Sequence, residues 1–337
     1  MSKKIRWGVL GAAKIAVKSV IPAMQKGMYS EVTAIASRDL EKARQAAGDL
    51  DIPKFYGSYE ELINDAEIDA IYNPLPNNLH VEWTIKAAEA GKHILCEKPI
   101  AMTVEEAQKL IETRRRTGVK IQEAFMVRSH PQWLAVRELI EQERIGSLQT
   151  INGFFSYFND DAANIRNQTK TGGGALFDIG CYCINLPRFI LGEEPRKVTA
   201  LIKRDDESKV DKLTSAILDF PTCLSTFTCS TQLVPYQRME FFGTKGRIEV
   251  EIPVNIPVDR PTRIFVDNTG DLYGANTETI EIPAVNQYTI QGDLFSRAIL
   301  ENSEQAISLE DSVKNMSVIE AVFRAADTGN WEIPEIY

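Results

Sequence analysis

The sequence predicts an α/β fold of two domains, a doubly wound parallel sheet followed by an α/β domain with a large, open, mostly antiparallel sheet. Up to about residue 123, apolar strands alternate with helices of ten to fifteen residues, which is typical of a parallel sheet with helices on both faces. Beyond that residue, strands follow one another with few helices between them. The length of 337 residues also exceeds the usual size of one hydrophobic core.

Five strands and four helices are predicted in the first half. The strands are 5–10, 32–36, 68–72, 93–96 and 119–122, and the helices are 14–26, 39–48, 78–90 and 103–117. Thr103 is the expected cap of the last helix, with Glu106 completing a capping box.

The second half begins with a predicted helix over 131–143 and a long aromatic strand over 148–158. A polar loop then ends in Gly172-Gly173-Gly174, which we interpret as a lid hinge or a simple turn. An apolar helix over 175–191 is followed by strands from 196 to 283. Helices over 287–301 and 309–327 close the chain, with Ser308 as the expected cap of the last one.

Composition excludes several classes of protein. Hydrophobic residues make up 44% and charged residues 25%, which is ordinary for a soluble globular protein. The net charge of −9 argues against nucleic acid or an anionic membrane as the main partner. Five cysteines without a CxxC pair, and no secretory signal, indicate reduced thiols in a cytoplasmic protein. With only three histidines, we predict no catalytic metal.

The end of the first strand carries a dinucleotide signal. Read against G-x-G-x-x-G/A, it supplies Gly11 for the tight turn, then Ala13 and Ala16 in place of the later glycines. Free N–H groups at the start of the next helix favour an anion. The alternative is a tight βα turn without a ligand. The predicted cofactor contacts here are Gly11, Ala12, Ala13, Lys14 and Ile15.

The end of the second strand selects between cofactors. An acidic residue there would accept from the ribose 2′-OH of NAD, but this chain has Ser37 and Arg38. A hydroxyl and a guanidinium suit a 2′-phosphate, so NADP is predicted over NAD. The alternative for Arg38 is a solvated surface charge, and Asp39 is available to cap the next helix.

Two further loops complete the predicted cofactor edge. The loop after the predicted strand 68–72 contributes Pro74, Leu75, Asn77 and His80, although an asparagine there also suits a helix cap and the histidine also suits simple packing. Glu97 and Lys98 follow the predicted strand 93–96, at the end where open parallel sheets bind their ligands. Pro99 ends that strand because it cannot donate to a sheet ladder.

These motifs resemble the Gfo/Idh/MocA oxidoreductases. The resemblance rests on Gly8-x-x-Gly11, on Glu97-Lys98-Pro99 and on the stretch 172–182, Gly-Gly-Gly-Ala-Leu-Phe-Asp-Ile-Gly-Cys-Tyr. It implies an NAD(P)-binding Rossmann domain over 1–123 and a substrate-binding and oligomerisation domain over 124–337, whose sheet joins a homodimer or homotetramer. The family's common motif has His where this chain has Tyr182. That change resembles the branch with glucose–fructose oxidoreductase, dimeric dihydrodiol dehydrogenase and NADP-dependent xylose dehydrogenases.

The resemblance also implies roles for the site. Lys98 and Tyr182 are expected to handle the proton while hydride passes between the nicotinamide and a sugar or diol. Lys98 and Asp178 are expected to bind substrate. Apart from the resemblance, the position of Arg166 in the polar loop before the triple glycine makes it a candidate for contact with substrate or cofactor, with a solvated charge as the alternative. Glu97 is expected near the nicotinamide ribose, and the Lys98-Pro99 bond is expected to be cis.

The chemistry of the side chains supports the roles of Lys98 and Tyr182, because a neighbouring ammonium lowers the pKa of a phenol. Asp178 and Tyr182, four apart on a predicted helix, are expected on one face.

Two other functions compete with this interpretation. One is a sugar- or dinucleotide-sensing regulator without turnover. The other is a methyltransferase, which would not need Lys98 or the Ser37-Arg38 pair.

Overall fold

The computed structural model describes residues 3–335 and contains two compact units. One comprises residues 3–126 and 286–313, and the other comprises residues 127–285 and 314–335. The first division therefore lies close to the predicted boundary at 123. The second unit is interrupted, however, so its predicted span of 124–337 does not hold for 286–313.

The first unit contains a six-stranded parallel sheet in the order β3-β2-β1-β4-β5-β6. Its strands are β1 Ile5–Leu10, β2 Ser30–Ala36, β3 Lys54–Tyr56, β4 Ala70–Asn73, β5 His93–Cys96 and β6 Ile121–Glu123. Its helices are α1 Ile21–Met24 (preceded by a π-helical segment, Ala16–Val20), α2 Leu40–Asp49, α3 Tyr59–Ile63, α4 His80–Glu89 and α5 Val104–Thr117. The strand order reverses beside β1, which opens a crevice at the carboxyl ends of the strands.

The second unit contains an eight-stranded sheet in the order β14-β13-β12-β11-β7-β10-β9-β8. Only the pair of β7 and β10 is parallel among the described strands of this sheet. The elements are α6 Pro131–Glu141, β7 Leu148–Phe158, α7 Cys181–Leu191 (preceded by a π-helical segment, Leu176–Gly180), β8 Lys197–Arg204, β9 Asp211–Asp219, β10 Leu224–Ser230, β11 Gln232–Gly243, β12 Arg247–Val250, β13 Thr262–Asp267 and β14 Glu278–Ile282. The predicted large, mostly antiparallel sheet is confirmed.

Two helices follow, α8 Gln287–Leu300 and α9 Leu309–Thr328. α8 belongs to the first unit because it packs on β1: the rings of Trp7 and Phe295 are 5.8 Å apart, and Trp7 Nε1 donates to Ser296 Oγ at 3.0 Å. The sequence pattern could not reveal this return, since nearly the whole second unit separates the partners along the chain. α9 begins in the first unit and continues in the second.

Local signals account for most helix ends. The carboxylate of Asp39 accepts from the N–H groups of Glu41 and Lys42, and Thr103 accepts from the N–H of Glu106. Ser308 accepts from the N–H of Asp311 at 3.1 Å. All three predicted caps are thus confirmed.

One helical stretch, Thr169–Leu191, has the length and hydropathy of a membrane span. Within it, 83% of the tested window is buried inside the protein. Because α7 lies against β7 and β10, this stretch is buried as a core helix covered by the sheet of its own unit.

Candidate functional site

Gly11 forms the turn between β1 and the first helix. Its φ of +87° lies in the left-handed region, and its N–H donates to Ala36 O at 2.7 Å. A Cβ at this position would come within 3.2 Å of the Leu75 side chain and 3.6 Å of Tyr59 Oη. The predicted need for glycine is therefore confirmed, and the turn lies beside the loop that follows β4.

The residues after Gly11 form an open helix start. Ala12, Ala13 and Ile15 are half-buried, and Lys14 is exposed. The N–H of Val17 donates to Ala13 O at 3.0 Å, so the preceding N–H groups have no intrahelical acceptor. Small side chains and unsatisfied N–H groups at a sheet's carboxyl edge suit a pyrophosphate.

Ser37 and Arg38 lie at the end of β2, as predicted. Ser37 is buried and its hydroxyl accepts from the N–H of Asp39 at 3.2 Å, whereas Arg38 is exposed. Burial raises the pKa of Tyr59, and the charge and hydrogen bond of Arg38 oppose this shift. Tyr59 was not among the predicted site residues, and it lies between Arg38 and the Gly11 turn. The ring of Tyr59 packs edge-on against Trp83, with centroids 4.9 Å apart.

In the loop after β4, Pro74 and Leu75 are buried and Asn77 is half-buried. Asn73 fastens this loop: its Oδ1 accepts from the N–H of Leu75 at 3.3 Å, and its Nδ2 donates to His80 O at 3.1 Å. His80 has no exposed surface, and its two ring nitrogens contact the main-chain oxygens of Leu75 and Pro99. The imidazole therefore has no nitrogen available for the predicted contact with a cofactor, because both are already engaged by the protein.

Glu97 and Lys98 lie at the carboxyl end of β5, both half-buried, and the Lys98-Pro99 bond is cis as expected. Tyr72 Oη donates to Glu97 Oε1 at 2.6 Å, and the N–H of Glu97 donates to Asn73 O at 3.0 Å. Burial raises the pKa of Tyr288 on α8, and the charge of Glu97 adds to the shift. The sequence pattern did not indicate either the tyrosine that bonds to this carboxylate or the tyrosine whose pKa its charge raises.

In the second unit, one carboxylate oxygen of Asp178 accepts two side-chain hydrogen bonds. Tyr157 Oη donates to Asp178 Oδ2 at 2.5 Å, and Arg166 Nε donates to the same atom at 3.0 Å. The pairing of Asp178 with Arg166 joins two predicted residues. Burial raises the pKa of Tyr157, and Asp178 adds to the shift, so Tyr157 remains a phenol and a donor at neutral pH. Tyr157 was missed because it lies in a long aromatic strand, where the sequence pattern does not single out one ring from the others.

Tyr182 is the second residue of α7, two residues after the end of the π-helical segment, and is only 4% exposed. Its ring lies 6.3 Å from that of Phe155 on β7. The prediction that Asp178 and Tyr182 share a face assumed α-helical spacing. Asp178 instead lies in the π-helical segment Leu176–Gly180, whose wider turn changes that register.

The triple glycine is a tight turn beside Asp211. A Cβ on Gly173 would lie 2.5 Å from Arg166 O, and one on Gly174, whose φ is +119°, would lie 1.9 Å from Asp211 Oδ1. Asp211 Oδ2 accepts from the N–H of Leu176 at 2.6 Å, at the start of the helix that carries Asp178. Burial raises the pKa of Asp211 to about 6. This carboxyl group, absent from the sequence-based site, fixes the origin of that helix.

Comparison with known proteins agrees with both units. Residues 5–125 match the family model described as "Oxidoreductase family, NAD-binding Rossmann fold", and residues 133–249 match the GFO/IDH/MocA C-terminal domain. An uncharacterized oxidoreductase of Rhizobium meliloti is 46% identical over 97% of this chain and 98% of its own. The D-xylose 1-dehydrogenase (NADP(+)) 2 of Haloferax volcanii is 35% identical over 96% of this chain and 98% of its own.

A solved structure shows the same architecture. A 3-ketoreductase from Actinomadura kijaniata, in complex with NADP and TDP-benzene, has a TM-score of 0.90 and 29% identity, over 96% of this chain and 98% of its own. Solved variants of that enzyme replace one lysine or one tyrosine. From the motifs, the two matched domains and these near full-length relatives, the chain belongs to the GFO/IDH/MocA family of oxidoreductases.

Proposed function

We propose that this protein is an NADP(H)-dependent dehydrogenase or reductase that acts on a CH–OH group or carbonyl of a sugar or trans-diol. The observation that carries the proposal is the NADP-type strand end of the first unit, Ser37 and Arg38, in a chain that also contains Lys98 and Tyr182. NADP, when bound, accepts or supplies the hydride, and the protein's own residues bind the substrate and move the proton.

The cofactor assignment is supported by the carboxyl edge of the first sheet. Gly11, Ala12, Ala13, Lys14 and Ile15 supply the turn and helix start for a pyrophosphate, and Ser37 and Arg38 supply a hydroxyl and a guanidinium for a 2′-phosphate. The solved 3-ketoreductase holds NADP, and the xylose dehydrogenase is named for it. Pro74, Leu75, Asn77 and Glu97 are proposed to border the nicotinamide half.

The proposed proton carriers are Lys98 and Tyr182. In the 3-ketoreductase, the lysine and the tyrosine that the solved variants replace have the same separation in sequence as Lys98 and Tyr182 have in this chain. A phenol passes a proton to or from a substrate hydroxyl, and an ammonium stabilises the phenolate that results. Asp178, held in one orientation by Tyr157 and Arg166, is proposed to accept a hydrogen bond from a second substrate hydroxyl.

The test begins with binding and proceeds to turnover. Mixing with NADPH should change its fluorescence, and absorbance at the nicotinamide band should then report activity with a panel of aldoses, including D-xylose, and trans-diols. Lys98→Met and Tyr182→Phe should each remove most of the turnover and retain NADPH binding. The exposed residues Lys109 and Tyr273 provide matched controls, because Lys109→Met and Tyr273→Phe should leave both measurements unchanged.

The outcomes separate the competing functions. Absence of an NADPH signal contradicts the oxidoreductase proposal. Binding without turnover of any substrate in the panel favours a dinucleotide-sensing regulator. Unchanged rates in the Lys98 and Tyr182 variants would refute the assigned roles and leave the activity itself intact.

We also propose that a second copy covers the outer face of the eight-stranded sheet, as a homodimer or within a homotetramer. Leu201, Ile217 and Leu224, on the neighbouring strands β8, β9 and β10, lie on one face by strand register and are 78%, 38% and 48% exposed. Light scattering after gel filtration should give a multiple of the 37.8 kDa chain mass, and Leu201→Glu should lower it. A monomer at all concentrations would contradict this assembly.

A further inference from the structure

We propose that His80 is a positioning residue in its cationic form, an imidazolium that ties the loop after β4 to the loop after β5. Its Nδ1 lies 2.7 Å from Pro99 O and its Nε2 lies 2.7 Å from Leu75 O. A main-chain carbonyl oxygen only accepts hydrogen bonds, so each ring nitrogen needs a proton to make its contact. A neutral imidazole carries one such proton, and an imidazolium carries two.

The other two histidines provide an internal contrast. His93 Nδ1 accepts from the N–H of Lys120 at 2.9 Å, and His130 Nδ1 accepts from the N–H of Gln132 at 3.1 Å. A nitrogen that accepts a hydrogen bond carries no proton, so both of these rings are neutral with the proton on Nε2. Among the three histidines of the chain, His80 alone has two acceptors facing its two nitrogens.

Electrostatic effects at His80 act in both directions. Burial, to which the charge of Lys98 adds, lowers its pKa to about 4 although the carbonyls of Pro99 and Leu75 raise it, so these effects favour the neutral ring. The two contact distances argue against the neutral ring, and the proposal gives them the greater weight. A neutral ring would hold a nitrogen lone pair 2.7 Å from a carbonyl oxygen, and two acceptors at that separation repel each other instead of bonding.

The contacts give this charge a role at the proposed active site, and the role rests on the proposed function. The carbonyl of Pro99 directly follows Lys98, and the carbonyl of Leu75 belongs to the loop proposed to border the nicotinamide. Asn73 joins the same assembly, since its amide donates to His80 O and accepts from the N–H of Leu75. Loss of one proton from His80 removes one of the two carbonyl contacts and releases one loop, which displaces the Lys98 ammonium from its place.

The charge can be tested on the full chain independently of activity. Histidine labelled with ¹⁵N, observed through long-range proton–nitrogen correlations at pH 6, reports the protonation of each ring nitrogen. The variants His93→Gln and His130→Gln assign the signals. We expect two protonated nitrogens at His80 and one each at His93 and His130. A single protonated nitrogen at His80 would overturn the proposal, whether or not the protein turns over NADPH.

The positioning role is tested by kinetics. His80→Gln removes the charge and keeps one N–H donor, so kcat should fall about 10- to 100-fold, which corresponds to one hydrogen bond to a charged group. The Kd for NADPH should change little, and the control His93→Gln should retain kcat. An unchanged kcat in a folded His80→Gln protein overturns the positioning role. Wild-type protein without any turnover would refute the proposed function and leave the ¹⁵N result to decide the charge.

Discussion

Replacing Asp211 by Asn should remove a pH dependence from the stability of the second unit. The carboxyl group of Asp211 is buried, and its Oδ2 accepts from the N–H of Leu176 and from Thr214 Oγ1, at 2.6 and 3.1 Å. Burial raises its pKa from 3.8 to about 6. An asparagine keeps an acceptor oxygen of the same shape for the Leu176 N–H but does not ionise.

The sign follows from proton binding. The folded protein holds this proton more tightly than the unfolded chain, so the free energy of unfolding falls as pH rises from about 4 to about 6. A rise of about two pKa units at 1.36 kcal/mol each gives a loss of roughly 3 kcal/mol between pH 4 and pH 7. The Asp211→Asn protein should not show this loss, and at pH 7 it should be at least as stable as the wild type.

The assay is urea denaturation of both proteins from pH 4 to pH 8, compared at each pH so that the contributions of other carboxyl groups cancel. Asp205 provides a control of opposite sign. Three donors, from Glu207 N, Ser208 N and Ser208 Oγ, lower its pKa to about 2. Its stabilisation is fully present above pH 4 and is lost as pH falls towards 2, so the stability difference between Asp205→Asn and the wild type should be constant from pH 5 to 8. A constant stability difference between wild type and Asp211→Asn at all pH values would refute the reasoning.

Three further predictions concern the site and its supports. Tyr157→Phe removes a hydrogen bond to the Asp178 carboxylate worth about 1.5–3 kcal/mol, so kcat/KM for substrate should fall about 10- to 100-fold with the NADPH KM unchanged; equal steady-state kinetics would contradict it. Arg38→Ala should weaken NADP binding about 10- to 100-fold in fluorescence titrations and leave NAD binding nearly unchanged, whereas an equal loss for both cofactors would show that Arg38 does not read the 2′-phosphate. Gly174→Ala should lower the melting temperature, because its Cβ would lie 1.9 Å from a carboxyl oxygen at a φ of +119°. The control Gly48→Ala, with open space around it, should be neutral or stabilising by about 0.5–1 kcal/mol. Equal melting temperatures of the two variants would argue against the steric account.

The sequence by itself determined the elements whose signals are local. The strands β1, β5 and β7 have the predicted bounds, because a short apolar or alternating run bounded by turn residues records which faces are buried. Caps such as Asp39 and Thr103 were also predictable, since a cap bonds within three residues of itself. β3 was missed because its three residues are partly exposed at the sheet edge and carry no such run.

Only the tertiary structure decided what each buried or polar side chain contacts. Periodicity shows that Trp7 is buried but not that α8 covers it, and it shows nothing of the bond between Tyr157 and Asp178. His80 illustrates the same limit: its type indicated a contact with a cofactor, whereas the fold brings two carbonyls to its ring. Hydrogen-bond partners distant along the chain are set by packing between elements, and a local sequence pattern contains no information on which elements will meet.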